Sequence, residues 1–478
     1  MHFPIFLKRP LVSSACVCMV RNEQDIIEPF VRHNTRFFDF MLILDHASTD
    51  ATRRILSQLS NELGNVLVRD IADPAQRQGT FVTDALHRLS KLARPDIVAF
   101  LDADEFIGVD DRHDFLKRFR KLRVGRGYRL PWKTLIPDPQ AASEGELLDR
   151  FGLVRNRDLP SSYKVLIRLG GRHYPDLRIA QGNHKAHRDR KRISAPKLDT
   201  PVIFHIPVRN SEQIMAKGVL SWAAELERRK HKGEKASAGT AGQWRMLHEQ
   251  YQAGDRVATS EQLAAIATSY AQTECSSDWR ERTSSTDLRL KRPRRYSDGT
   301  SLPLEELVAR KADRMRQLQA EADQFPTLDL ALLRGVSDLL APAKLKTYCS
   351  DDKTAADYIL VSGSETPKGP PASRRTVALA LDIAALSPPA LAKLQASDAD
   401  TLLIAASGAT AANWRPSKRR FLKMVGRLRK SGWNVDQSLS LALRVLSDLP
   451  SHSASALVMR RYACRGPALK LFDSQAFS

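Results

Sequence analysis

The chain has 478 residues, a formal net charge of +21 at pH 7 and 42% hydrophobic residues. This length allows two or three domains with ample cores. No run approaches the roughly 20 apolar residues that span a bilayer, so any membrane contact is expected to be peripheral. The five cysteines are odd in number and lack Cys-x-x-Cys spacing, which favours a reducing cytoplasmic compartment over a disulfide-bonded one.

Apolar runs and segments with helical periodicity alternate along the first hundred residues. The predicted strands are residues 14–20, 40–44, 65–69 and 97–101. Between them, apolar residues recur at helical spacing, and Asn22 and Asp50 are expected to cap the first two helices. This alternation predicts parallel βαβ units, and therefore an α/β fold with a Rossmann-like, mostly parallel central sheet.

Polar residues that packing does not require follow three of these strands. They are Asn22 and Glu23, then Asp45 and Ser48, and finally Asp102 and Asp104. Because parallel strands end on one edge of a sheet, these side chains are expected to share one cleft. Clustered acids repel one another unless a cation joins them, so Asp-x-Asp here suggests a metal–diphosphate site. The alternative is that these acids only cap helices or form turns.

The motifs, in this order and spacing, resemble the nucleotide-sugar-binding half of family-2-type glycosyltransferases with the GT-A fold. The segments that carry the resemblance are 21–23, 44–52 and 101–106, followed by 164–168, 181–184 and 205–213. The nearest branch is bacterial and has an Asp-x-Asp-Glu-Phe motif, present here at 102–106. The resemblance covers residues 12 to 230 and implies sugar transfer from a nucleoside-diphosphate donor.

The resemblance also implies roles for individual residues. The nucleotide-sugar site would contain Arg21, Asn22, Glu23, Asp45, Ser48, Arg77, Gln78 and Asp102. Asp102 and Asp104 would hold Mn²⁺ or Mg²⁺, completed by a late histidine, either His184 or His205. His205 is favoured because it follows a predicted strand, and a neutral imidazole suits Mn²⁺.

Residues 125–230 are expected to form the acceptor side. Further strands are predicted at 128–132, 164–167 and 202–204, and a helix is predicted from residue 212, capped by Asn210 or Ser211. Arg209 and Lys217, near the start of this helix, are candidates to meet the diphosphate, although solvated charges are common there. Asp104 and Glu105 are the candidate catalytic residues. The general base stays open between Glu105, Asp138, Glu144, Glu146, Asp176 and Glu212.

Composition divides the chain into three parts. We expect a transferase domain over 1–235, a polar linker and helical region over 236–345, and a smaller α/β domain over 346–478. The last part contains predicted strands at 358–361, 376–381 and 401–405 but no recognisable set of catalytic residues.

The basic charge, partly concentrated at 228–230, 289–295 and 418–430, favours anionic lipid or acidic glycan as a partner. No signature of specific nucleic-acid binding accompanies it. The preferred interpretation is a metal-dependent glycosyltransferase with a glycan or lipid-linked acceptor, working in the cytoplasm, with peripheral contact to the anionic inner face of the membrane. The alternatives are a non-catalytic glycan- or lipid-binding protein on a transferase scaffold, and an Asp-x-Asp phosphotransferase.

Overall fold

The computed structural model describes residues 14–324 and four C-terminal strands. Within 14–324 the description omits residues 64, 74, 110, 141–146, 156–162, 233–241, 256–258, 271–278 and 282–294. The helices are α1 (Ile27–Asn34), α2 (Thr52–Leu63), α3 (Gln78–Leu92), α4 (Arg112–Arg120), α5 (Ser211–Lys232), α6 (Gly242–Gln252), α7 (Ser260–Ser269) and α8 (Leu304–Gln324).

The strands alternate with the helices in the first half of the chain and then follow one another. They are β1 (Ser14–Val20), β2 (Phe40–Asp45), β3 (Val66–Asp70), β4 (Ile97–Leu101), β5 (Glu105–Gly108), β6 (Arg126–Ile136), β7 (Leu153–Arg155), β8 (Tyr163–Arg168), β9 (Arg178–Ile179), β10 (Ala186–Arg188), β11 (Lys191–Arg192), β12 (Val202–His205) and β13 (Trp279–Glu281). The C-terminal strands are β14 (Thr376–Ala380), β15 (Ala399–Ala405), β16 (Trp433–Asp436) and β17 (Ala456–Arg461).

The central sheet is mixed and has the order β13-β7-β6-β8-β4-β1-β2-β3, with β12 paired to β6 and β5. The four strands β3, β2, β1 and β4 run parallel, whereas the pairs β4–β8, β8–β6 and β6–β7 are antiparallel and β12 is parallel to β6. The predicted α/β fold with parallel first strands is therefore confirmed. The chain order reverses beside β1, and in open α/β sheets a crevice for ligands opens at such a point.

Registers between the parallel strands bring their carboxyl ends level with one another. Cys18 of β1 lies beside Leu101 of β4, and Val20 of β1 lies beside Asp45 of β2. These strands are buried along their whole length, as apolar runs without polar alternation predict. Each observed boundary in this part of the chain lies within one residue of the prediction.

The capping predictions have different outcomes. Asn22 does not cap α1: its backbone lies in the left-handed region at φ 55°, and its Oδ1 accepts a hydrogen bond from the Thr49 N–H at 2.8 Å. That prediction is wrong, because the chain makes a further turn before the helix begins at Ile27. Asp50 accepts from the Thr52 N–H at 2.9 Å, and Asn210 accepts from the Gln213 N–H at 2.8 Å, as expected.

The segment 295–324, called the strap here, is anchored at one buried carboxylate of α1. Glu28 of α1 accepts hydrogen bonds from the backbone N–H groups of Arg295, Tyr296 and Ser297, at 2.7–2.8 Å. The side chain of Arg32 donates to the same carboxylate at 2.8 Å. The charge of Glu28 therefore holds a segment almost 270 residues further along the chain.

The C-terminal strands form a separate four-stranded sheet. Its order is β14-β15-β17-β16, in which β14 and β15 are parallel and the other pairs are antiparallel. Two of its strands coincide with the predictions at 376–381 and 401–405, whereas the strand predicted at 358–361 lies outside the described residues. The proposed domain boundaries stay predictions. In the described part of the chain, no helix combines the length and the apolar character that crossing a bilayer requires.

Replacing the anchoring carboxylate tests how the strap is attached. Glu28→Gln keeps the side-chain volume but removes the charge that three backbone N–H groups share, and hydrogen bonds to charged groups are each worth about 1.5–3 kcal/mol. We expect the amide protons of residues 295–297 to exchange at least about tenfold faster, measured by hydrogen-exchange mass spectrometry. Glu306→Gln, at an exposed ion pair on α8, is the matched control. Equal exchange in both variants would contradict this role of Glu28.

A buried histidine predicts a pH-dependent stability. Burial lowers the pKa of His33 to about 4, and its Nε2 lies 2.8 Å from the Ile107 carbonyl oxygen. Only the unfolded chain binds this proton between pH 6.5 and about 4, so the free energy of unfolding falls as the pH is lowered through that range. His33→Gln should flatten this dependence in thermal melts, whereas His113→Gln, exposed on α4, should leave it unchanged.

Candidate active site

A cavity of about 800 Å³ opens at the carboxyl ends of the parallel strands. The residues that follow β1 and β4 line it: Arg21, Asn22, Glu23, Asp102 and Asp104. Other elements contribute Gln78, Trp132, Lys164, His184, His205, Lys217, Trp244 and Tyr270. The convergence of acids and polar groups expected from the sequence therefore occurs at the end of β1 and the end of β4.

Asp104 is buried among cations. Its Oδ2 lies 2.6 Å from Lys217 Nζ and 4.0 Å from a terminal nitrogen of Arg209, and its Oδ1 lies 3.7 Å from His205 Nε2. Burial by itself would raise the pKa of Asp104, but the charge of Lys217 and its neighbours outweighs burial and holds that pKa well below its usual range. Asp104 is therefore a carboxylate at any physiological pH.

Asp102 lies on the open side of the cavity, with its side chain 34% exposed. Its Oδ2 accepts from Lys164 Nζ at 2.5 Å, and its Oδ1 accepts from Gln78 Nε2 at 2.9 Å and Asn183 Nδ2 at 3.4 Å. Lys164 is almost fully buried on β8 and also donates to the Gly182 carbonyl oxygen at 2.8 Å. The side chain of Asp102 is thus fixed by three different elements of the fold.

Glu105 lies behind the two aspartates, fully buried at the start of β5. Its Oε2 accepts from the Asp102 N–H at 3.0 Å, while its Oε1 has no hydrogen-bond partner and lies 3.4 Å from Lys164 Nζ. Burial raises the pKa of Glu105 well above its usual value, although Lys164 opposes that effect. The carboxyl group therefore holds the backbone of Asp102 in place.

His205 completes a group of possible metal ligands. One ligand atom each from Asp104, Glu105 and His205 lies within 4.8 Å of the others. This proximity arises because β5 and β12 pair with Glu105 directly opposite His205. Burial lowers the pKa of His205 to about 3, so the imidazole is neutral, and its Nδ1 has no hydrogen-bond partner. By contrast, Nδ1 of the alternative His184 lies 2.6 Å from the Tyr163 carbonyl oxygen.

Aromatic rings line the wall beside this group. Trp132 stacks on His205 with centroids 4.3 Å apart, and Tyr270 meets the other side of that imidazole at 5.3 Å. Trp244 contacts Tyr270 at 5.8 Å. The cavity therefore combines a floor of charged side chains, around Asp102 and Asp104, with an aromatic wall of Trp132, Tyr270 and Trp244. This combination suits ligands with both charged and ring-shaped parts.

The residues that follow β1 differ in how they meet the cavity. Arg21 donates to the Leu220 carbonyl oxygen at 3.2 Å, and burial lowers its pKa to about 10. Glu23 contacts Arg209, whose guanidinium is fully buried and also bonds Asp25 at 2.5 Å. Arg209 therefore binds these carboxylates without lining the cavity, whereas Lys217 lines it.

Asp45 is placed differently from its expected position. It ends β2 on the same edge as the other acids, but it is fully buried and does not line the cavity. Its Oδ2 accepts from the Ser48 N–H at 3.1 Å, and burial raises its pKa, assisted by Asp70. Arg314 of the strap reaches the same region and contacts Asp70 at 3.0 Å. The proposed contact of Asp45 and Ser48 with a nucleotide stays a prediction.

Arg77 and Gln78 also differ in their relation to the cavity, which Gln78 lines and Arg77 does not. Gln78 is the first residue of α3 and reaches Asp102, whereas Arg77 pairs with Asp73 and lies over the ring of Phe81.

Among the remaining candidates for the general base, Asp138, Asp176 and Glu212 do not line the cavity, and Glu144 and Glu146 lie outside the described residues.

Sequence reasoning named Lys217 as a candidate to meet the diphosphate, but it did not assign a role in the site to Lys164 or to the aromatic wall. Lys164 interrupts the otherwise apolar run 163–167, and a lysine in a buried strand needs an anionic partner. That pattern was the available signal. Trp132 and Tyr270 carried no such signal, because an aromatic residue in a strand or after a helix is usually part of a core.

The buried ion pairs around Asp104 predict a large loss of stability when that charge is removed. Asp104→Asn removes the nearest counter-ion of Lys217 and leaves it only the carboxylate of Glu23, 3.5 Å away, and removing one partner of a buried pair costs about 3–5 kcal/mol. We expect denaturant titration to show this decrease in the free energy of unfolding. Asp114→Asn, at an exposed ion pair with Arg118 on α4, should cost no more than about 1 kcal/mol. Equal losses would contradict the inferred burial.

Comparison with known proteins identifies part of the chain. Residues 16–125 match the family model described as Glycosyl transferase family 2. No curated protein sequence matches the chain. Solved structures similar to it include the apo-form glycosyltransferase GlyE of Streptococcus pneumoniae TIGR4, at 16% identity over 34% of this chain and 35% of that chain, with a TM-score of 0.19.

A putative glucose-1-phosphate thymidylyltransferase from Bacillus anthracis, in complex with a sucrose, is similar at 10% identity over 33% of this chain and 69% of that one, with a TM-score of 0.20. The match thus spans about a third of the length of GlyE, and at these TM-scores neither structure supports an argument. The family match and the parallel strands agree with the resemblance seen in the motifs. Residues 16–125, which contain most of the parallel strands β1 to β4, are therefore similar to glycosyltransferase family 2.

Proposed function

We propose that the protein transfers a sugar from a nucleoside-diphosphate donor to a glycan or lipid-linked acceptor, in a metal-dependent reaction. One observation supports this most strongly. Asp102 and Asp104, directly after β4, share a single cavity with Arg21, Asn22 and Glu23, directly after β1. This is the edge of the sheet, beside the reversal in strand order, where α/β proteins bind nucleotides.

Asp102, Asp104 and His205 are the proposed holders of Mn²⁺ or Mg²⁺. The neutral imidazole of His205 and its unpartnered Nδ1 fit this assignment, as does the permanent charge of Asp104. Asp102 adds a carboxylate on the open side, where donor phosphates can reach it. A bound divalent cation supplies Lewis-acid stabilisation of the negative charge on the leaving diphosphate.

Lys164 and Lys217 are proposed to balance charge in the site. Each lies within 2.6 Å of an aspartate oxygen, and the nearby carboxylates raise both pKa values despite burial. Both therefore remain ammonium groups. Because these two ammonium groups are already held in place, they can stabilise the negative charge that develops on the diphosphate without rearranging. This lowers the barrier of the transfer reaction. Gln78 and Asn183 keep Asp102 oriented towards the same point.

Glu105 is proposed to position Asp102 and not to act as the general base. Its raised pKa favours the protonated form, and its Oε2 is occupied by the Asp102 N–H.

The aromatic wall of Trp132, Tyr270 and Trp244 is proposed to hold the sugar, since ring faces pack against apolar C–H surfaces. The protein would act in the cytoplasm, with its acceptor end near the membrane surface.

A non-catalytic binding protein on the same scaffold is the second candidate. The observation that favours it is that lysines already neutralise both Asp102 and Asp104. A phosphotransferase is less well supported, because its nucleophilic aspartate would follow the first strand and the Asp-x-Asp here follows β4.

Ligand-induced stabilisation separates these candidates. We expect one nucleoside-diphosphate sugar among the uridine, guanosine, cytidine and thymidine series to raise the melting temperature only with Mn²⁺ or Mg²⁺ present. A ligand at 100 times its Kd adds about 2.7 kcal/mol. Asp102→Asn should abolish the shift, whereas Asp114→Asn should retain it. Asp104→Ala serves as a second variant if it folds. If no nucleoside diphosphate stabilises the protein, the transferase proposal fails and the binding-protein candidate gains support.

A further inference from the structure

A strongly basic hairpin, residues 185–192, projects beside the cavity. It consists of β10, a tight turn and β11, and its exposed residues are Lys185, Arg188, Asp189, Arg190, Lys191 and Arg192. The turn residues Asp189 and Arg190 have φ values of 49° and 61°, the left-handed pair typical of a two-residue hairpin turn. Five cations and one acid thus lie on a ribbon only eight residues long.

The register of this hairpin places like charges opposite one another. Arg188 pairs directly with Lys191, an arrangement that destabilises an antiparallel ladder. In addition, Lys185, Arg190 and Lys191 make no ion pair with any residue in the described part of the chain. The ribbon therefore carries an unbalanced positive charge that an external anion would relieve.

The rest of the hairpin is held rigidly. Arg188 bonds Asp176 at 2.9 Å and lies 4.8 Å from the ring of Tyr174, while Arg192 donates to the Tyr163 hydroxyl at 3.2 Å. At its base, the Ile193 N–H bonds the Ala186 carbonyl oxygen at 2.9 Å. The unpaired cations are thus presented on a preorganised support, which reduces the entropy lost when a ligand binds.

The hairpin begins directly at the cavity. Gln181, Gly182 and His184 line the cavity, and the next residue is Lys185. The six residue-to-residue steps from His184 to Arg190 span at most about 20 Å, even when fully extended. A chain molecule whose end lies in the cavity can therefore reach this basic ribbon.

We propose that the hairpin binds an anionic glycan chain, whose end the cavity accepts as the substrate that receives the sugar. This inference rests on the proposed transferase function. In the proposed reaction the cations of the cavity already balance Asp102, Asp104 and the donor diphosphate, so anionic groups along the acceptor need counter-charges outside the cavity. A ribbon of separated cations suits a chain that carries a carboxylate or phosphate on successive units.

A glycan fits this surface better than a membrane does. In the described part of the chain, the large apolar residues that are well exposed are Val124, Met246 and Val308, and none belongs to the hairpin. Segments that bind membrane surfaces usually combine basic residues with apolar ones that enter the lipid. The hairpin offers charge and hydrogen-bond donors alone.

The test compares charge reversal on the hairpin with the same reversal elsewhere. Arg190→Glu with Lys191→Glu changes the hairpin, and Arg54→Glu with Arg316→Glu changes exposed sites on α2 and α8, outside the hairpin and the cavity lining. The probes are polygalacturonate, dextran sulfate, neutral dextran and vesicles with and without phosphatidylglycerol. Melting temperature is measured for both variants to exclude misfolding.

We expect the unmodified protein to bind at least one anionic glycan and not neutral dextran. The hairpin variant should bind at least about tenfold more weakly, since two charge-assisted contacts are lost, while the control variant keeps its affinity. Equal weakening in both variants, no glycan binding, or hairpin-dependent binding to anionic vesicles alone would overturn the proposal.

Donor binding is measured on the same proteins. The hairpin variant should keep the metal-dependent melting shift with a nucleoside-diphosphate sugar, because neither changed residue lines the cavity. If the unmodified protein shows no such shift yet binds glycan through the hairpin, the transferase function fails and the anionic-glycan surface stands. If the shift is intact and glycan binding does not depend on the hairpin, only the present inference fails.

Discussion

The site depends on keeping several carboxylates ionised inside a protein. Asp104 is buried, and a lone charge there would cost several kcal/mol, so Lys217 and Arg209 must accompany it. The same need explains Lys164 beside Asp102. These cations come from α5, β8 and the loop after β12, and therefore the fold beyond the family-2 match is required before the acids can be placed.

Parallel strands supply the geometry that this charge balance uses. Registers between β1, β2 and β4 bring three polar strand ends to one edge of the sheet, and residues that follow each of them line the cavity. After β2 these residues are His46 and Asp50, whereas Asp45 is buried beside Asp70, which Arg314 of the strap contacts. The strap also contributes to the lining, so the segment 295–324 shapes the cavity together with the strands.

Much of the first domain follows from local patterns. Apolar runs without alternation are enough to locate β1 and β4, and the acids after β4 mark the edge of the sheet. Other features depend on contacts across long stretches of sequence. Nothing near Asp45 signals the approach of Arg314, and nothing near Trp132 signals stacking on His205. Asn22 was expected to cap a helix, but its amide serves a neighbouring turn, a competition that depends on tertiary structure.

The pairing of β5 with β12 has a consequence for how the protein reaches its active form. Glu105 and His205 face each other across this ladder although 100 positions separate them along the chain. Contacts between such distant positions close large loops and tend to form late, after local βαβ units have collapsed. The cations that balance Asp102 and Asp104 also lie 62 and 113 positions further along the chain, so the same late contacts that bring β12 to β5 are needed to complete the charge balance of the site.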